Sequence, residues 1–557
     1  MRLSIREHLI PGLRPGERAV GFRLETGGVG AELRGELTHW FAPIAMQAHG
    51  REQRAVVHVG PGAFAYKLRT DDGRWHLDPD NPRTRAIDGL QSSLLVVDGT
   101  DEPVVHAPAL PYLHVGEDGR LCARAALRKG AAGGSLTLRL LDEDGARDVP
   151  MRRVAEEDEH LLFEALAPAQ KRRLDYLFVL ESGRCIGRGG AALRIEPHEL
   201  LPALPEWWRD AVLYTVFLDR FRDGSGRTLA LPPPPLIDER ARAGGDLWGV
   251  RDAIPYLAEL GVTVLHLTPV GYSYSAHRYD AVNPLHVDPA LGGEPALRAV
   301  IEAAHRHGLR VLLDVVLTHV HRDFLPFCDV RQRGPRSPYA AWFQPLRFPF
   351  TDGEDPGYRH YQKGQWQEPL LALDAQQANE DVAAYLVQVL LHYLALGVDG
   401  FRLDAAADVP LGLLRLLRAA VRGVRKDALL LGEVTVDSLF RFTAGALDCA
   451  TDFPLQEALY DWLWRRRGDA RRLAAVQARR RFYRGASHSG LAFTATHDQP
   501  RLLSLVGDSR VARLGHVDGV RRCGTVHPGH AGAGGCSAGC GASAASAGMK
   551  HPGMKYP

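Results

Sequence analysis

From Trp207 onward, short apolar runs of strand length alternate with longer runs of helical period. The strand-like runs are AVLYTVF (211–217), VTVLHLT (262–268), RVLLDVV (310–316), GFRL (400–403), ALLLG (428–432), CATDF (449–453) and LAFTAT (491–496). Between them lie helical patterns such as RDAIPYLAELG (251–261), ALRAVIEAAHRHG (296–308) and DVAAYLVQVLLHYLALG (381–397). Strand followed by helix, repeated, builds a parallel sheet, and seven such units exceed what most open sheets hold. The pattern predicts an α/β domain over 205–516: a (β/α)8-type TIM barrel that is incomplete, with about seven strands. A stretch rich in Pro, Phe and Trp, 317–380, interrupts the alternation after the third strand and is predicted to form an inserted lobe.

Residues 1–204 read differently. Runs such as AVVHVG (55–60), SLLVVDG (93–99), SLTLRLL (135–141) and YLFVLES (176–182) are short and bounded by Gly, Asp and Pro. Two lengths of about 100 residues predict two β-sandwiches, 1–103 and 104–204. At the other end, residues 519–557 contain no acidic side chain, and GHAGAGGCSAGCGASAASAGMKHPGMKYP offers almost nothing to bury. The segment 517–557 is predicted to be a disordered, low-complexity tail.

Composition removes several function classes. With 45% hydrophobic and 24% charged residues, the chain is not disordered throughout. Sixty-eight basic against 66 acidic side chains leave +2, too little for an electrostatic footprint on nucleic acid or an anionic membrane, so neither is expected as a partner. The arginine triplets at 465–467 and 479–481 read as solvated helix faces. No apolar run nears the roughly 18 residues of a membrane span. Arg6 and Glu7 stand where a signal peptide would have its apolar centre, so the expected location is cytoplasmic. Seven scattered cysteines make no disulfide framework. Cys523, His527, His530, Cys536 and Cys540 match no closed zinc pattern, so no metal is expected there.

In a barrel, polar residues at the C-terminal ends of strands line the mouth of the site. Asp404, Glu433 and Asp498 each follow directly on an apolar strand, where an unpaired carboxylate is costly. Arg402, His319 and His497 stand beside them in sequence. Two carboxyls across a cleft are the equipment of glycoside cleavage: one attacks or stabilises the sugar cation, the other hands a proton to the leaving oxygen. An arginine near the first would keep it ionised. Taken alone, this pattern also allows a barrel that binds a metal.

At these residues the chain resembles the α-amylase superfamily of retaining glycosidases, in its neopullulanase/cyclomaltodextrinase branch. DVVLTH (314–319), GFRLDAAAD (400–408), LLGEV (430–434) and FTATHD (493–498) resemble the family's four motifs in order and spacing over roughly 310 residues. YSAHRYDAVNPLHVDPALGG (274–293) resembles the loop after the second strand, and GGDLWGVRDAIPYLAELGV (244–262) matches the branch as well. The resemblance implies a hydrolase of α-1,4 or α-1,6 linkages in maltodextrins, cyclodextrins or pullulan. Asp404 would be the nucleophile, Glu433 the general acid/base, and Asp498 a binder of sugar hydroxyls that favours ring distortion. Arg402 would hydrogen-bond the nucleophile, His319 and His497 would grip hydroxyls, Tyr279 would offer its ring face, and Asp280 stands in the same substrate-binding loop. The two carboxyls, Asp404 and Glu433, should lie about 5–5.5 Å apart. FAYKLRTDDGRWHLDPDNP (64–82) resembles glycogen-binding modules, with Trp40, Lys67 and Trp75 as the sugar platform. The second module resembles the branch's N-terminal sandwich, which often helps form a homodimer.

Two departures bear on these roles. Thr318 and Asn283-Pro284 replace residues associated with calcium in the family, so no cofactor is expected to be required and calcium is disfavoured. After His516 the family's eighth strand is missing, which suggests a lost reading frame or a cut gene near 516. The alternative function is therefore a catalytically impaired, glycan-binding or residual protein.

Overall fold

The computed structural model covers most of residues 18–499 and Gly524–Thr525; the longer stretches left out are 36–43, 98–102, 107–111, 169–173, 196–203, 230–240, 374–378, 435–445, 465–470 and 477–489. Residues 11–204 and 435–490 belong to one compact unit, and 205–434 with 491–553 to another.

The first unit contains both β-modules. In the earlier one, a three-stranded sheet (Arg18–Glu25, Glu52–Val59, Gln47–His49) accompanies a six-stranded sheet ordered Ile44–Ala45, Ala31–Gly35, Gly62–Thr70, Leu90–Val97, Thr84–Ile87, with Trp75–His76 paired to Gly62–Thr70. Side chains alternate along each strand, so Phe22, Leu24 and Val57 from one sheet meet Leu33, Phe64, Tyr66 and Leu68 from the other in one core. The later module repeats the scheme with two five-stranded sheets built around Arg120–Arg128 and Leu136–Asp142. Leu138, Leu140, Phe163, Tyr176 and Phe178 fill its core.

A strand forms at each of the seven predicted places: β1 (Val212–Val216), β2 (Val264–Leu267), β3 (Arg310–Val316), β4 (Gly400–Asp404), β5 (Leu429–Gly432), β6 (Cys449–Thr451) and β7 (Gly490–Leu491), the last sharing only Leu491 with its predicted run 491–496. Their order in the sheet follows the chain, and β1 to β5 pair in parallel. Helices α1 (Leu247–Glu259), α2 (Gly293–Arg306), α3 (Glu380–Leu396) and α4 (Leu411–Val424) connect them. Caps set the helix starts. The Asp246 carboxylate accepts from Gly249 N at 2.7 Å, so α1 begins four residues before its apolar period becomes visible. Asn379 does the same for Val382 N at 3.2 Å in α3. A Cβ on Gly400 would lie 2.2 Å from Leu429 O, so glycine is what lets β4 lie beside β5.

One feature was invisible in the pattern. Gly524–Thr525 takes the next place in the sheet, beside β1, with Val212 opposite Gly524 and Leu213 opposite Thr525. These two residues fall inside the stretch expected to be a disordered tail. A Gly-Thr pair carries neither an apolar run nor an alternation, so no strand signal exists there. The rest of 517–557 lies outside the described residues. The inserted lobe has a small core of its own, where Phe327, fully buried, packs on Phe343, Phe350 and Tyr358.

Candidate active site

Strand geometry assembles the site. Residues two apart share a face, so Arg402 and Asp404 point the same way from β4. Parallel register sets Asp314 of β3 opposite Arg402. It also sets Leu403 opposite Gly432, which brings Glu433, the residue after β5, beside Asp404. The result is one guanidinium among three carboxylates. Arg402 Nη1 lies 2.9 and 3.0 Å from the two Asp314 oxygens and 2.7 Å from Asp404 Oδ1. Arg402 Nη2 lies 3.0 Å from Glu433 Oε1. The other Glu433 oxygen accepts from Ala405 N at 3.0 Å. Ala405 adopts the left-handed region, φ 43° and ψ 41°, a strained conformation for a residue with a Cβ that aims its N–H at Glu433.

Asp314 is anchored further by Tyr279, whose hydroxyl donates to Oδ2 at 2.8 Å, and by His266 Nε2 at 3.2 Å. Tyr279 Oη is also 2.6 Å from His497 Nε2, and that nitrogen is 3.3 Å from Asp498 Oδ2. The Tyr279 and His497 rings are parallel within 6° at 5.9 Å. Asp404, Glu433, Asp498, Arg402, His497 and Tyr279 therefore form one continuous network. His319 follows β3; it is 5% exposed and has Glu368 Oε2 at 3.1 Å from Nε2.

Asp280 is hydrogen-bonded within its own loop. It is 2% exposed and accepts hydrogen bonds from the hydroxyls of Ser273, at 2.7 Å, and Ser275. It braces the loop that presents Tyr279. Arg278 helps, left-handed at φ 61°, with its buried Nε 2.9 Å from Asp288 Oδ2. In the first β-module, Lys67 is 7% exposed, and Trp75 is half-buried with the Arg34 and Arg69 guanidinium carbons 5.9 and 5.6 Å from its ring centre. Trp40 lies outside the described residues.

The electrostatics follow from burial against one strong cation. Burial raises the Asp404 carboxyl above its ordinary range, and Arg402 opposes this. Burial raises Glu433 too, opposed by Arg402 and reinforced by Asp404 and Asp498. For Asp314 burial also acts upward, but Arg402 and His266 outweigh it and hold the carboxyl down at about 2. Burial pushes His266 toward its neutral form.

Four residues of this neighbourhood were not singled out from sequence: Asp314, His266, Glu368 and Asp408. For Asp314 and His266 a signal existed, since each is a polar residue in the middle of an apolar strand. Asp408 sits in the short turn Ala406–Asp408 after β4 and is 8% exposed. Burial, with Glu433 and Asp404 adding to it, pushes its carboxyl up to about 8 from an ordinary 3.8. Between those two values the unfolded chain releases a proton that the folded chain keeps, so stability falls as pH rises through that window. Asp408→Asn is expected to stabilise the protein at neutral pH by roughly 2–5 kcal/mol. Thermal unfolding of both proteins across acid to weakly alkaline pH checks this. The gain should vanish near pH 4, and a gain independent of pH would contradict it.

At the two positions that bear on calcium, the side chains make local contacts. Thr318 Oγ1 is 2.9 Å from His319 Nδ1, and Asn283 Oδ1 accepts from Leu285 N at 3.0 Å. Among the described residues no helix is long and apolar enough to cross a membrane.

Comparison with known proteins agrees with this architecture. Residues 215–531 match the family described as alpha amylase, catalytic domain. The chain is 31% identical to neopullulanase 2 of Thermoactinomyces vulgaris over 371 residues, 62% of each chain. It is 29% identical to the cyclomaltodextrinase of Thermoanaerobacter pseudethanolicus over 316 residues, 56% of this chain and 54% of that one. It thus spans between about half and three-fifths of the length of these relatives. The crystal structure of the maltogenic amylase from S. marinus shares the fold, with a TM-score of 0.70 at 20% identity over 90% of this chain and 78% of that one. With the strand order, the network around Arg402 and this match over more than half its length, the chain belongs to the α-amylase family.

Proposed function

We propose that this chain hydrolyses α-1,4 or α-1,6 glucosidic bonds of maltodextrins, cyclodextrins or pullulan by double displacement. The observation that carries the reading is Arg402, which touches Asp404 with one nitrogen and Glu433 with the other. Two carboxyls hung from one guanidinium support the short separation of about 5–5.5 Å that retention needs, against roughly 6.5–9.5 Å for inversion.

In the first step an Asp404 oxygen attacks the anomeric carbon while Glu433, protonated, gives its proton to the departing glycosidic oxygen. Burial beside two other carboxylates favours that protonated form of Glu433. In the second step Glu433, now a base, takes a proton from water, and the water oxygen displaces Asp404. A sugar hydroxyl arriving instead of water would give transfer. Asp498 and His497 bind hydroxyls of the sugar under attack, and Tyr279, held flat by His497 and Asp314, supplies an apolar face. No step requires a metal. The first β-module is proposed to hold glucan through Trp75 and Lys67 together with Trp40, and the second to support a homodimer.

The test is reducing-sugar release from maltoheptaose and β-cyclodextrin by the chain and by Asp404→Asn. The asparagine keeps the shape but cannot form the ester, so release should fall by roughly 10³-fold or more. Equal release by both proteins would refute the mechanism. No release by folded wild-type chain would favour the impaired, glycan-binding alternative.

A further inference from the structure

Glu368 belongs to the lobe between β3 and α3, on the hairpin strand Trp366–Pro369, a region from which no motif draws a site residue. Its neighbours are tied to the segment after β3. Val320 N donates to Pro369 O at 3.3 Å and Leu371 N to Thr318 O at 2.9 Å, with His319 paired to Leu370 between them. This clamp delivers Glu368 Oε2 to 3.1 Å from His319 Nε2, and both residues are only 5% exposed. The opposite ring nitrogen, Nδ1, has Thr318 Oγ1 at 2.9 Å. Oxygens that can accept a hydrogen bond therefore meet the ring at both ends, the arrangement that suits an imidazolium with two N–H donors.

Burying a histidine to this degree ordinarily drives it neutral. Here burial acts in that direction, yet the charges facing the ring from three elements reverse it: Glu368 of the hairpin first, then Asp404 of β4 and Asp280 of the loop after β2. A buried carboxylate is costly unless paired, so Glu368 and His319 each justify the other's burial.

We propose that Glu368 is a positioning residue of the sugar-cleaving site: it fixes the His319 ring and supplies the counter-charge for an imidazolium beside the nucleophile. The role deepens the glucan-hydrolase reading and rests on it. Among the described residues, Arg402 and His319 are then the two cations that face Asp404. The second is removable by pH, and its persistence toward alkaline pH is set by a residue of the inserted lobe.

The experiment uses the full chain, Glu368→Gln and Glu368→Asp. Glutamine keeps an acceptor oxygen for the ring and removes only the charge. Two readouts are taken: titration of the His319 ring by NMR of histidine-labelled protein, assigned through the signal lost in His319→Gln, and the pH profile of kcat/KM on maltoheptaose. In Glu368→Gln, His319 should titrate at least one pH unit lower. The alkaline limb of kcat/KM should move the same way, and kcat should fall by roughly tenfold with KM changed less than threefold. Glu368→Asp should recover part of both, and unfolding temperatures should stay within a few degrees. An unmoved His319 titration overturns the pairing whether or not the chain cleaves glucan. A moved titration with an unmoved pH profile overturns the catalytic role. An inactive wild-type chain with a moved titration removes the glucan reading and this role with it, while the ion pair stands.

Discussion

Replacing Arg402 by methionine is expected to abolish glucan cleavage and to lower the unfolding temperature together. Arg402 is 5% exposed and is the guanidinium against Asp314, Asp404 and Glu433. Removing it strands three buried carboxyls. Asp314, whose side chain is fully shielded, cannot turn to water. Leaving a buried charge unpaired costs on the order of 3–5 kcal/mol, and the protein lowers that cost by taking up protons. A protonated Asp404 is no nucleophile. The rate should therefore fall by roughly 10³-fold or more near neutrality, with residual activity displaced to higher pH, where Asp404 ionises. Arg402→Lys should recover stability better than rate, since one ammonium cannot reach both catalytic carboxyls in the forked geometry. Activity and thermal unfolding measured on the same preparations check this. A methionine variant that keeps either property would show that the cluster is not organised around Arg402.

The second large effect is Glu433→Gln. Glutamine preserves the acceptor oxygen for Ala405 N–H but has no proton to give. On maltoheptaose, whose leaving group needs that proton, the rate should drop by roughly 10²–10⁴-fold. On an α-glycosyl fluoride, whose leaving group needs none, the first step should survive and the second become limiting, so added azide should accelerate turnover in place of deprotonated water. The pH profile supplies a further check. Burial, with Asp404 and Asp498 adding to it and Arg402 opposing it, raises the Glu433 carboxyl, so loss of its proton contributes to the wild-type alkaline limb beside the titration of His319. When the variant acts on the fluoride, the Glu433 contribution should be gone and only the part that follows His319 should remain. Equal losses on both substrates would remove Glu433 from the role of acid.

How much of this was legible in the sequence depended on whether the signal was local. β1 to β5 could be read because each lies in a largely apolar run of strand length, and the barrel order follows from the alternation. Helix starts were displaced where a capping residue such as Asp246 sits ahead of the apolar period. Gly524–Thr525 could not be read, since pairing beside β1 is a property of the partner strand and not of two small residues. In the site, Asp404, Glu433 and Asp498 were visible as carboxylates at strand ends. Asp314 was quoted within its motif but passed over, because an acid inside a strand shows its purpose only when the register sets it opposite Arg402. That the Ser273 and Ser275 hydroxyls both donate to Asp280 Oδ1 becomes visible only once the loop is folded. Glu368 had no local signal, for its contact with His319 arises from the lobe closing back on the segment after β3.

The central claim is that Asp404 forms a covalent bond to the sugar while Glu433 serves only as proton carrier. Its most direct test is the mass of Glu433→Gln after incubation with a fluorinated α-glucosyl fluoride, which loses fluoride readily and leaves the enzyme slowly. The account predicts one added glucosyl group per chain, located by fragmentation on the peptide carrying Asp404. Consumption of the fluoride with no adduct, or an adduct on any other residue, would contradict it.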